Sequence, residues 1–176
     1  MINHRPLAPT GAAMRIMKRT LFAIVGTLAV AATIGCSRQG SSESEAYAPG
    51  LGEIMSLQQM RHAKLYFAGQ AENWDLAAYE LDEIGEGFDD VLKYHPTHKD
   101  SPVAPKDAIP RIVTEPLRQL KAAVEKKDGA TFAPAFDALT AACNNCHEAT
   151  NFGFNIVQTP TANPYPNQQF RKGKKE

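Results

Sequence analysis

Apolar positions recur with a helical period from Leu51 to Cys146. In the first stretch Met55, Gln58, His62 and Leu65 follow one another at steps of three and four, and Ile54 and Leu57 widen the stripe. That spacing predicts a helix from Leu51 that Gly69 closes, with His62 on its buried face. Asn73 suits the N-cap of a second helix, along which Trp74, Ala77, Leu81, Ile84, Phe88 and Val91 keep one stripe over about five turns. Glu80, Asp82, Glu83, Glu86, Asp89 and Asp90 fall between these positions and are expected to form its wet face. Gly85 and Gly87 lower the helix propensity there and leave room for a close neighbour.

Tyr94 to Pro105 holds Pro96, Pro102 and Pro105 with His95 and His98, the composition of a solvated connecting loop. A third helix is expected to begin between Asp107 and Pro116 and to run to about Lys127, with Ile109, Val113, Leu117, Leu120 and Val124 inward. Asp128-Gly129 makes a turn, and Thr131 is placed to cap a fourth helix with Pro134 in its first turn. Phe132, Phe136, Leu139, Cys143 and Cys146 then share one stripe. Four amphipathic helices, with short joins at 70–72 and 128–130 and a crossover at 95–106, predict an all-α fold, an antiparallel four-helix bundle. Beyond it the segment 150–176 is too rich in Pro and Asn for another long helix; Phe152, Phe154, Ile156 and Val157 are expected to fold back over the bundle.

The opening residues change the reading of charge and compartment. Arg15, Lys18 and Arg19 precede an apolar run, Leu21 to Ile34, of about 14 residues, short for a membrane span and suited to an export signal. Gly35-Cys36-Ser37 at its end resembles a bacterial lipoprotein signal, which makes Cys36 a lipidation candidate and implies a periplasmic location, with a membrane tether if lipid is attached. Residues 1–36 are thus read as an extension and export signal, 37–50 as a flexible linker, 51–149 as the folded domain and 150–176 as an irregular extension with a basic tail. Arg5, Arg15, Lys18 and Arg19 lie before Cys36 and no acidic residue does, so the mature chain carries 15 basic against 19 acidic residues, a net charge of about −4. Its basic residues are scattered, which argues against nucleic acid.

The candidate chemistry is Cys143-Asn-Asn-Cys146-His147. Two thiols three positions apart form thioethers with the two vinyl groups of a haem, and the adjacent imidazole supplies an axial nitrogen. The motif occurs once, which predicts one covalent haem c held by Cys143 and Cys146 with His147 as an iron ligand. CxxC also suits a redox dithiol or half of a zinc site. The second half of a zinc site is missing, because the third cysteine, Cys36, lies far upstream.

A helical bundle with CxxCH in its last helix resembles the class II cytochromes c, the cytochrome c prime and its low-spin relatives, over roughly 51–149; the extension after His147 is atypical for that family. The first helix should then face the iron. His62, an imidazole in an apolar stripe, is the leading sixth ligand. In low-spin members of the family a first-helix methionine takes that role, which the resemblance would carry to Met55 or Met60. Met55 and His62 share a helix face two turns apart, so only one of them reaches the same iron.

These residues point to a non-enzymatic periplasmic electron carrier that cycles one haem between ferric and ferrous states and exchanges electrons with redox proteins, among them a membrane-bound oxidase, reductase or dehydrogenase. The alternative is a five-coordinate haem protein that binds nitric oxide or carbon monoxide. A peroxidase would need an open iron with His62 as distal base. The resemblance also leaves a homodimer open.

Overall fold

The computed structural model describes residues 47–173; the export-type segment, Cys36, most of the 37–50 linker and the end of the basic tail lie outside the described residues. The fold is all-α. Five helices follow in order: α1 Leu51–Gln70, α2 Trp74–Tyr94, α3 Pro105–Ile112, α4 Thr114–Lys126 and α5 Gly129–Ala149, with no strand among the described residues. Helix α1 packs on α2 and α5, α4 on α2 and α5, and the short α3 bridges α2, α4 and α5. Leu65, Leu81, Ile84, Val91, Leu120, Val124, Phe132, Phe136 and Leu139 form one core between them.

The stripe expected of a third helix is divided between α3 and α4, which meet at Val113. Pro116 explains the break. It has no N–H to offer the Ile112 carbonyl four residues back, and its ring would press on that carbonyl, so the helix stops and restarts with Pro116 in a first turn. The start of α5 also differs from expectation. Asp128, not Thr131, is its N-cap: Oδ1 accepts from the backbone N–H of Ala130 (2.9 Å) and Thr131 (3.4 Å). Asn73 caps α2 as expected, accepting from Leu76 N–H.

Lys127 ends α4 in the left-handed region (φ 54°), a position glycine occupies without steric cost. Lys127→Gly is expected to raise stability by about 1 kcal/mol, seen as a higher thermal midpoint. At the same end of the bundle, beside the first turn of α5, Gly69 is the seat of Phe132: a Cβ at 69 would stand 2.1 Å from the ring's Cζ. Gly69→Ala is expected to cost roughly 2–3 kcal/mol by overpacking, read in a urea midpoint that falls without a change of slope.

The C-terminal extension runs back along the helices. Val157 pairs with Asn144, Thr159 Oγ1 donates to Asp137 (3.0 Å), and Phe170 is buried at the α1–α2 turn, where its carbonyl accepts from Asn73 Nδ2 (2.9 Å). Between these points Tyr165 packs on the core and lies against Lys64, whose Nζ is 5.4 Å from the ring centroid. Glu80 corrects the wet-face reading of α2: it is only 3% exposed. Its burial raises the carboxyl pKa, opposed by Lys64 and Arg61 and reinforced by Glu83; Tyr165 and Glu80 are close enough that the carboxylate also raises the phenol. Among the described residues no helix is long and apolar enough to cross a membrane.

Candidate functional site

Cys143, Cys146 and His147 lie on the last two turns of α5 and open onto one cleft of about 230 Å³. The N-terminal half of α1 forms the opposite wall with Leu51, Met55, Gln58 and His62. Phe88 and Val91 of α2, Ile109 of α3, and Phe152 and Val157 of the extension complete an apolar lining that holds no Lys, Arg, Asp or Glu.

Both thiols are free and half-buried. Burial, with a smaller contribution from Cys146, pushes the Cys143 thiol up to about 12, and burial raises Cys146 as well. A redox dithiol needs the opposite, a thiol whose pKa is depressed so that thiolate is present at neutral pH. Among the described residues no three His, Cys, Asp or Glu side chains are grouped as a metal cage, so the two cysteines lack the partners of a closed zinc site.

His147 has a fixed tautomer. Its Nδ1 is 2.6 Å from the carbonyl oxygen of Asn155, which only accepts, so Nδ1 carries the proton and Nε2 keeps a free lone pair. Asn155 is held in place by its neighbours. Phe152 N–H donates to the His147 carbonyl (2.7 Å), and Asn144, between the two cysteines, donates through Nδ2 to Val157 O and accepts from Val157 N–H, both at 2.8 Å. One internal position of the CxxCH motif therefore clasps the segment whose carbonyl orients the motif's histidine. Phe152 and Val157 cover the cleft as expected, whereas Phe154 and Ile156 are 82% and 73% exposed, a correction to the reading in which all four fold inward.

His62 is buried on the cleft wall and is engaged by the protein. Thr140 Oγ1 spends its proton on Phe136 O (3.0 Å) and so accepts from His62 Nε2–H (2.8 Å). The ring lies 4.4 Å from that of Phe136, and burial lowers the imidazole to about 4, leaving it neutral at pH 7.

The pairing of α1 with α5 separates the sixth-position candidates. Gly69 meets Phe132, Tyr66 meets Phe136 and His62 meets Thr140, so each turn back along α1 is matched by a turn forward along α5, the pattern of antiparallel neighbours. Two further turns lead from His62 to Met55 and from Thr140 to His147. Met55 is thus level with His147, while His62 is displaced along α1 by roughly 10 Å. Met60 is half-buried but does not line the cleft.

Gln58 lies on the α1 stripe that its spacing predicts, while the place of His98 was not recognisable from the sequence. Gln58 donates to Ile84 O (2.8 Å) with its amide lodged where a Cβ on Gly87 would intrude at 2.8 Å, so Gly87 serves close approach between helices. His98 is a correction: expected in a solvated loop, it stands on the cleft wall edge-on to Phe152 with ring centroids 5.3 Å apart. His95 instead ties the loop to Pro49 O (2.7 Å) just ahead of α1.

The residues present fit a covalently attached haem: two thiols one helical turn apart, a histidine with a free Nε2, and an apolar cleft for a flat ring. Compared with protein-family models, characterised proteins and solved structures, the chain shows no significant match.

Proposed function

We propose that this chain is a monohaem cytochrome of the class II type, a helical bundle that carries single electrons in the periplasm. The observation that carries the reading is that Cys143, Cys146 and an Nε2-free His147 share one apolar cleft closed by the chain's own extension. A haem bound there supplies a ferric/ferrous couple and an aromatic edge for outer-sphere electron exchange.

The chain's part is to bind, orient and exclude water. Cys143 and Cys146 would anchor the haem through their sulfurs, each thiol adding across one vinyl group. His147 presents Nε2 because Asn155 O holds its Nδ1–H, and the Asn144 clasp keeps Asn155 from drifting. Phe88, Val91, Ile109 and Phe152 keep the cleft dry, which favours a buried redox centre over a hydrated one. Met55 would supply the second iron ligand, since it is the α1 side chain level with His147 and its thioether needs no hydrogen-bond partner, while His62 is bonded to Thr140 as a core histidine. The proposal extends to Cys36 as a lipid tether and to soluble or membrane-bound redox proteins as partners.

Gas binding is the competing reading, and optical spectra of the matured protein separate the two. Sharp bands in the reduced state that ignore carbon monoxide support the carrier. Broad high-spin bands that shift on carbon monoxide would overturn it in favour of an open site.

A further inference from the structure

A haem brings two carboxylates into whatever cleft receives it, and this cleft offers no cationic Lys or Arg to meet them. A carboxylate against an apolar wall needs a donor or must reach water. The buried donors already present are committed, and the remaining side-chain amides of the lining, Gln59 and Asn155, belong to exposed residues. His147 Nδ1 serves Asn155 O, His62 Nε2 serves Thr140, Gln58 Nε2 serves Ile84 O and Thr150 Oγ1 serves Cys146 O.

His98 differs. Among the described residues its Nδ1 is buried without a hydrogen-bond partner, and its other ring nitrogen has none either. The ring is nevertheless held in a defined place. Phe152 packs on it edge-on, the His98 carbonyl accepts from Ser101 N–H (3.1 Å), Asn151 Nδ2 reaches Asp100 O (3.5 Å), and His95 fastens the same loop to Pro49 O. A loop tied at several points that delivers an uncommitted imidazole to an otherwise apolar wall has the form of a ligand contact.

We infer that His98 is the carboxylate-binding residue of the cleft, donating a hydrogen bond from its imidazole to a haem propionate. The inference rests on the cytochrome reading above and adds the orientation of the ring: the propionate edge lies toward the 95–104 loop, away from the Thr140 end of α5. His98 is a positioning residue; it neither ligates iron nor transfers an electron.

The test is resonance Raman spectroscopy of the reduced, haem-loaded full chain, following the propionate bending band, which moves when the carboxylate gains or loses a hydrogen bond. His98→Phe should shift the band toward the free-carboxylate position, and His98→Gln, which keeps a donor, should retain much of the wild-type position. A band unmoved in His98→Phe overturns the inference and leaves the cytochrome reading intact. Should that variant not hold its fold, His98→Met against His98→Gln gives the same contrast between filling the space without a donor and with one. A chain that takes up no covalent haem shows no propionate band at all, and then the cytochrome reading itself fails.

Discussion

Met55→Leu is expected to convert the reduced protein from one that ignores carbon monoxide to one that binds it. Leucine keeps the volume and apolar character of the side chain at the cleft wall, so the core beside it loses little, but it has no sulfur to offer. The ferric protein should lose any methionine-to-iron band in the near infrared. The reduction potential should fall by on the order of 0.1–0.3 V, a fraction of the ~0.8 V that axial ligation spans, because a thioether favours the ferrous state. His62→Gln in parallel should leave the sixth position filled. The reverse result, an unchanged Met55→Leu spectrum with an open iron in His62→Gln, would return the sixth ligand to His62 and require the helix to turn its imidazole from Thr140 toward the cleft.

His62 instead is expected to make the fold acid-sensitive. Its imidazole is lowered to about 4 by burial, against an ordinary value near 6.5. Between those two values the unfolded chain binds the proton and the native chain does not, so stability rises with pH across the window. The contribution is complete above about pH 6.5 and is lost as pH falls toward 4; at 1.36 kcal/mol per unit it amounts to about 3 kcal/mol. His62→Gln removes this slope while also losing the Thr140 hydrogen bond and the Phe136 contact. The variant should therefore be less stable than wild type at pH 7, with a gap in unfolding free energy that narrows by about that amount by pH 4. A gap constant with pH would show that His62 is not the buried neutral group described.

The elements that read clearly from sequence are those whose signal is local. The α2 stripe and its Asn73 cap needed only spacing and a capping side chain, and the CxxCH motif needed only five residues. The division of α3 from α4 was half-legible, since Pro116 announced a disturbance without saying whether the chain would kink or restart. Asp128, read as part of a turn with Gly129, caps α5 in place of Thr131 three positions on, because the left-handed turn at Lys127 brings it to the helix end.

What escaped was set by chain remote in sequence. Glu80 looks solvent-facing within α2 and is buried, with Lys64 of α1 and Tyr165 of the extension near enough for charge to act between them and its carboxyl. His98 looks like a loop residue until Phe152 is packed against it. Phe154 and Ile156 have the same composition as Phe152 and Val157 yet face outward, because the Asn144 clasp and the His147–Asn155 bond fix which side of that irregular segment meets the cleft. The level of Met55 against His147 follows from the α1–α5 register, which periodicity within one helix does not contain.

Covalent attachment through Cys143 and Cys146 is read most directly from the intact mass of the denatured chain, expressed with a haem-attachment system that loads a control cytochrome. The predicted result is a mass increased by one haem, localised by digestion to the peptide containing residues 143–147 and absent when both cysteines are changed to alanine. A chain of unmodified mass with two alkylatable thiols, beside a fully loaded control, would contradict it.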